Sequence, residues 1–426
     1  MSEPLLMTIA DGVELCAVQT DMFKTCKINI MMALPLAGDI AAKAALPYLL
    51  RRSCRAYPSV TSLNGRLDTL YGAVLGASVM KKGEAQILNL SLSAIDDRFA
   101  LDGESVSGEA VRLLLDMLFE PKLEDGTFPQ EDIDTEKRLL LERMRAEDDD
   151  KRTYARRRCE EVMCADEAYS RNRYGTAQEI ESLTGARVYA AWREALETAV
   201  IRVVTVSSGT PDAVRDQLSA RFGTLERRVA AIETQFVPDA AGEKYERETQ
   251  PLMQGTLVMG FRCGMHASED MDPAITVAAD IFGGGTYSKL FTIVREQMSL
   301  CYFCAARLNR DKGILLVSSG IETENESKTR EAVLEQLRAV QNGEFDAEML
   351  ETSLRSLRDS VRSYTDSPDG LCTWYANQIF RGTAKTPQQR IAEYDAVTLE
   401  QVQAAAQKIT PDTVFMLAGT GEEHHA

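Results

Sequence analysis

Histidine is nearly missing from this sequence: there are three, and none precedes His266. A metal site built on imidazoles therefore has nothing to draw on in the first half of the chain. Nucleophilic catalysis with a histidine base has only His266, since His424 and His425 stand in a terminal tail expected to fray, and no Ser or Cys sits in a G-x-S-x-G setting. The nine cysteines are odd in number and scattered, which fits reduced thiols and argues against a disulfide framework. Cys301 and Cys304 form a lone C-x-x-C, and Cys159 and Cys164 stand close together. Without a second ligand pair neither set makes a zinc site, so buried structural thiols are expected. Long apolar runs are also lacking: no stretch approaches the ~20 apolar residues of a membrane span, and the N-terminus has no basic, signal-like region. A cytoplasmic protein without a membrane partner is expected. Basic charge is short as well, with 48 Lys plus Arg against 65 Asp plus Glu and a net charge of −17, which disfavours nucleic acid as a partner. The one basic run, Arg156-Arg157-Arg158, reads as a solvated helix face. Gly283-Gly284-Gly285 lacks the Gly-Lys-Ser/Thr ending of a phosphate loop and reads as a turn.

What is present is ordinary globular composition over 426 residues, enough for two domains of roughly 200 residues each. CKINIMMALPL predicts a strand from residue 26, followed by a helix AAKAALPYLLRR with Pro47 as its irregular element. SLNGRLDTLYGA reads as a helix, and VLGASVMKKGEAQILNLSLSAI as two strands joined at Lys81-Lys82-Gly83. The run EDIDTEKRLLLERMRAEDDDKRTYARRRCEEVMC reads as one long charged amphipathic helix. A strand, AVIRVVTVSSG, closes the first half. The second half repeats the order, from the strand MQGTLVMGFRCG to the closing strand TVFMLAGTG. Leu70-Tyr71 matches Cys301-Tyr302, and Lys82-Gly83 matches Lys312-Gly313, both at an offset of about 230, as a duplicated α+β unit requires. The charged segment 224 to 248, with Pro238 and Gly242, reads as the linker. The expected fold class is α+β: two tandem homologous domains, 1–230 and 231–426, each a mostly antiparallel sheet flanked by helices.

The segment GGGTYSKLFTIVREQMSLCY carries the most information. Ser288, Leu290, Phe291, Val294, Arg295, Glu296, Leu300 and Tyr302 resemble, in order and spacing, the second-domain signature of the pitrilysin/insulinase-type metallopeptidases. Tyr57-Pro58 and LDTLYGA resemble that family's first-domain stretch, so the likeness covers the whole chain. Active members carry H-x-x-E-H on a helix, two imidazoles one turn apart that bind zinc and a Glu that activates water. Aligned on Tyr57-Pro58, those places hold Ala44, Pro47 and Tyr48. The third zinc ligand of the family, a Glu in a stretch like E-K-x-x-x-x-x-E, falls on Arg143, with Glu142 one residue out of register. A helix turns about 100° per residue, so Glu142 is expected to point elsewhere. Arg295 and Tyr302, which in the family reach the bound peptide's backbone, are both kept. A plainer role stays open for them, with Arg295 in a structural ion pair and Tyr302 packing its ring with the hydroxyl at the rim.

The resemblance implies the inactive member of a pair, one half of a clamshell, without a cofactor of its own. Its partner would be an active zinc peptidase homologue, the two holding an unstructured peptide, with Arg295 and Tyr302 completing the site. The branch it is most similar to is associated with aminopentanol modification of elongation factor P. Also open are a homodimeric shell that presents a polypeptide to such a modification pathway, and an enzyme using a cysteine or a carboxylate pair.

Overall fold

A computed structural model describes residues 3–264 and 273–420; His266, His424 and His425 lie outside them. The chain is α+β, with two mixed sheets flanked by helices. In chain order the first half runs β1 (Leu5–Ala10), β2 (Val13–Gln19), β3 (Thr25–Pro35), α1 (Ile40–Leu50), α2 (Val60–Thr69), β4 (Val74–Lys82), β5 (Ala85–Ile95), α3 (Val106–Phe119), α4 (Gln130–Asp149), α5 (Lys151–Met163), α6 (Ala177–Glu181), α7 (Gly185–Thr198), β6 (Val200–Ser207) and α8 (Pro211–Phe222). The second runs β7 (Lys244–Gln250), β8 (Gly255–Arg262), α9 (Pro273–Gly283), a π-helix (Leu290–Gln297), β9 (Phe303–Asn309), β10 (Ile314–Ile321), α10 (Glu326–Gln341), α11 (Ala347–Ser363), α12 (Pro368–Ile379), α13 (Pro387–Asp395), α14 (Leu399–Ala406) and β11 (Thr410–Gly419). Among the described residues no helix is long and apolar enough to cross a membrane.

The first sheet has the order β1-β2-β6-β3-β5-β4 and the second β7-β11-β8-β10-β9. Without β1 the two orders coincide, and so do the directions: β2 with β6 and β7 with β11 are parallel, and the other neighbours are antiparallel. The sequence matches fall on equivalent places. Gly83 and Gly313 take the left-handed backbone of the β4–β5 and β9–β10 hairpins, with φ of 51° and 68°.

The compact units are not the uninterrupted stretches 1–230 and 231–426. The first comprises residues 1–144, 172–233 and 362–389; the second, 145–171, 234–361 and 390–426. Each sheet is thus covered by a helix from the other half of the chain. In the second unit Ala155, Cys159 and Met163 of α5 pack on Val258, Leu316 and Phe415. The approach is so close that a Cβ at Gly260 would lie 2.7 Å from the Met163 sulfur. In the first unit α12 lies on β3 and β6, with Lys27 and Asp369 at 2.7 Å. Hydrophobic burial is indifferent to chain distance, which is why sequence order alone points to an uninterrupted division.

Three local expectations change. The long charged helix is two helices, because the Asp150 carboxylate accepts hydrogen bonds from Arg152 N at 3.1 Å and Thr153 N at 3.3 Å and so starts α5 afresh. The segment read as linker contains β7, a charged edge strand with a period of 2. Glu246 and Glu248 meet Arg158 at 2.7 and 2.8 Å, while Tyr245 and Arg247 meet Glu326 at 2.7 and 2.6 Å. The basic run on α5 is therefore not a solvated face: Arg158 ties α5 to β7, and Arg157 pairs with Asp148 and Glu161.

Candidate functional site

The first site begins with α1, whose N-terminus is capped by Asp39; its carboxylate accepts from Ala42 N at 3.0 Å and from Arg187 at 2.7 and 2.8 Å. Burial pushes that carboxyl up, but the Arg187 and Ala42 hydrogen bonds outweigh it and hold it below its ordinary value. Ala44, Pro47 and Tyr48 all lie on α1 and all are buried. Ala44 and Tyr48, one turn apart, share a face. The facing residues come from α4, where Glu136 and Arg143 stand two turns apart on one side. The Arg143 guanidinium carbon sits 4.0 Å over the Tyr48 ring. Glu136, only 2% exposed, accepts from Arg52 Nη1 at 3.2 Å, while Arg52 Nε donates to Asp132 at 3.1 Å. Arg143 Nη1 stands 3.8 Å from the other Glu136 oxygen. Glu142 lies on the exposed side of α4, paired with Arg138 at 2.8 Å.

A zinc ion needs lone pairs from imidazole, thiolate or carboxylate. Here it would meet a methyl group, a proline ring, a phenol and a guanidinium. Burial, reinforced by a hydrogen bond with Tyr174, pushes the Tyr48 phenol up to about 12, so it stays neutral at pH 7. Arg143 cannot give up its proton. These residues do not fit zinc, and among the described residues no group of three His, Cys, Asp or Glu side chains is placed to hold a metal ion. Glu136 and Arg52, which the sequence reading did not weigh, supply the site's carboxylate and its nearest counter-charge. The signal was available: Glu136 lies two helical turns before Arg143, on the same helix face.

The second site lies on the π-helix, anchored by buried Leu290 and Val294. Met298 N donates to Ile293 O at 2.9 Å, and Ser299 then takes a left-handed turn with φ of 52° that redirects the chain towards β9. Arg295 Nε donates to the carbonyl of Tyr302 at 3.0 Å, its guanidinium carbon lies 4.5 Å over Phe291, and Nη1 is 3.2 Å from Glu296. Arg295 is thus in contact with the neighbouring acid, as the plainer reading expects. Tyr302 differs from that reading. It is 53% exposed, so its ring stands in solvent, and its hydroxyl is tied to Glu322 at 2.5 Å, which raises the phenol. Glu322 follows β10 and went unremarked in the sequence. In the first unit Tyr71 likewise donates to a carboxylate, that of Glu104, at 2.8 Å.

All nine cysteines are free and buried. Cys301 is the exception in its chemistry: a hydrogen bond with Cys304, helped by the Arg295 charge, lowers it, whereas burial raises Cys16, Cys26, Cys54, Cys159, Cys164, Cys263 and Cys372. Cys304 lies 3.0 Å from the Ser319 hydroxyl. Gly283-Gly284-Gly285 ends α9 as a turn, with Gly284 N donating to Asp280 O at 2.7 Å.

The chain is similar to several known proteins. A family model described as the peptidase M16 inactive domain matches residues 182–357. A Bacillus subtilis (strain 168) protein named as the probable inactive metalloprotease YmfF is 29% identical over 404 residues, which is 95% of this chain and 95% of that protein. YmxG of the same organism, named as an uncharacterized zinc protease, is 24% identical over 210 residues, 49% of this chain and 51% of its own. Among solved structures, a conserved protein from Enterococcus faecalis V583 superposes with a TM-score of 0.90 at 24% identity, covering 99% of this chain and 100% of that one. A peptidase M16 inactive domain from Pseudomonas fluorescens superposes at 0.79 with 17% identity, covering 99% of each chain. At those identities the superpositions establish a shared fold.

Proposed function

We propose that the chain, which is similar to the M16 inactive domain over residues 182–357 and to a probable inactive metalloprotease over 95% of its length, is an inactive homologue of the M16 peptidases and the non-catalytic subunit of a heterodimeric zinc peptidase. It pairs with a zinc-bearing relative, holds unstructured peptide in the shared chamber and completes the partner's site with Arg295 and Tyr302. The observation that carries this reading is the contrast between the two sites. Where a metal would sit, the chain is filled by Arg143 on Tyr48. Where peptide would be held, Tyr302 stays exposed and its backbone is fixed by Arg295.

The arrangement suits positioning. Arg295 is braced by Phe291 and holds the Tyr302 carbonyl, so the backbone beneath the phenol is set before peptide arrives. Glu322 orients the hydroxyl. Groups fixed in advance contribute to catalysis without taking part in bond-making, because the entropy of orienting the substrate is lost on binding rather than in the reaction.

The test is co-purification of the full chain with a relative that carries H-x-x-E-H, followed by metal analysis and peptide cleavage. The expected result is a one-to-one complex with zinc in the partner, whose cleavage falls when Tyr302→Phe replaces the wild-type chain. Self-association without the zinc-bearing relative would instead favour a homodimeric shell, such as one serving modification of elongation factor P.

A further inference from the structure

Arg143 is held in place but its hydrogen-bonding capacity is unmet. Stacked 4.0 Å above the Tyr48 ring, the guanidinium presents its face to the phenol and leaves its N–H edge for acceptors. Among the described residues none accepts. Nη1 has no hydrogen-bond partner, and the nearest carboxylate oxygen, Glu136 Oε2, stands off at 3.8 Å without a hydrogen bond of its own. Glu136 is engaged by Arg52 through its other oxygen at 3.2 Å, and Arg52 also holds Asp132 at 3.1 Å. Arg52 is therefore held by two carboxylates, whereas Arg143 has only the longer approach to Glu136. Nearby, Arg173 lies 4.5 Å over Tyr174, the tyrosine that hydrogen-bonds Tyr48, which adds positive charge on the same side of α1. With 31% of its side chain exposed, Arg143 is open to a ligand from solvent.

We propose that the converted first-unit site binds a peptide carboxylate through Arg143, with Tyr48 as the platform that fixes the guanidinium. A planar monoanion matches a single guanidinium fork in a bidentate manner. A phosphate fits less well, because Glu136 and Asp132 repel a second negative charge. The proposal rests on the peptide-holding reading above and names the chemistry of the peptide. Both a chain terminus and an acidic side chain supply that carboxylate.

The experiment measures binding of labelled unstructured peptides to the isolated full chain at low ionic strength, by fluorescence anisotropy. The peptides come in matched pairs: C-terminal acid against amide, and internal Glu against Gln. The carboxylate form is expected to bind about fivefold to tenfold tighter in at least one pair, and which pair responds identifies the source. Arg143→Leu should erase the preference and Arg143→Lys should keep part of it. Arg295→Ala should leave the ratio unchanged whatever it does to overall affinity, so failure of the Arg295 role and failure of this one are separate results. Thermal melting of each variant checks folding. If Arg143→Leu does not fold, the Lys variant and Tyr48→Leu, which removes the platform, carry the test. Equal affinity for acid and neutral forms, a preference that survives these changes, or no binding of any peptide would overturn the proposal.

Discussion

Each unit of this chain carries an arginine beside a tyrosine, and the two pairs are put to opposite use. In the first, Tyr48 is 6% exposed and lies beneath Arg143, so the cation covers the ring. In the second, Tyr302 is 53% exposed and Arg295 holds its carbonyl rather than its ring. The hairpins differ in the same sense. Lys82 in the first unit donates to the neutral Asn377 at 2.5 Å, whereas its counterpart Lys312 is fully buried against Glu167 at 2.5 Å. Both lysines fasten the helical segment taken from the other half of the chain. A duplicated scaffold thus keeps its strand order while the chemistry at matching positions diverges.

Breaking the hairpin anchors should give the largest effect. Glu167 serves both Lys312 and Arg262 at 2.5 and 2.8 Å, with all three side chains buried. Burial pushes its carboxyl up, yet the hydrogen bonds from Lys312 and Arg262 hold it below its ordinary value. Glu167→Ala leaves two buried cations short of a partner and should cost about 3–5 kcal/mol in urea unfolding. Asn377→Ala removes one neutral acceptor and should cost about 1 kcal/mol. Equal losses would break the comparison.

Next come the arginines. Arg143→Ala removes the stack on Tyr48, for an expected loss of about 1 kcal/mol. Arg295→Ala, at a more exposed position, should stay within about 0.5 kcal/mol by the same measurement. Tyr48 also titrates. Its folded value, raised to about 12, lies above the ordinary value of 10.0. The folded state therefore retains a proton that the unfolded chain releases, and the stabilisation is complete below pH 10 and is lost as the pH climbs towards 12. Tyr48→Phe should shallow the fall in stability across that window relative to wild type. An identical fall in both proteins would mean that Tyr48 is not the buried phenol described.

Much of this was legible in the sequence, for reasons visible at particular residues. Val, Ile, Leu and Met alternate or run together wherever a strand sits between two covered faces, so β3 and β8 announce themselves. The glycines at 83 and 313 mark equivalent hairpins because few other residues take that backbone. The Arg295-to-Tyr302 spacing also survives reading as a string. What sequence order could not reveal is pairing across long distances. Nothing local shows that α5 covers the second sheet, that Asp150 interrupts a helix otherwise continuous in pattern, or that KYERETQ is an edge strand whose charges meet Arg158 and Glu326. At the first site the Arg143 stack on Tyr48 could not be read from the sequence, since it depends on how α4 meets α1.

Whether the second pair acts on a substrate cleaved elsewhere is open to direct measurement. The direct measurement is kcat/KM for peptide cleavage by this chain reconstituted with a zinc-bearing relative, comparing wild type with Arg295→Ala at equal complex concentration. Expected are no cleavage by this chain alone, cleavage by the complex, and a loss of tenfold or more, about 1.4 kcal/mol, with Arg295→Ala while association persists. Unchanged turnover in an intact complex would contradict the positioning role.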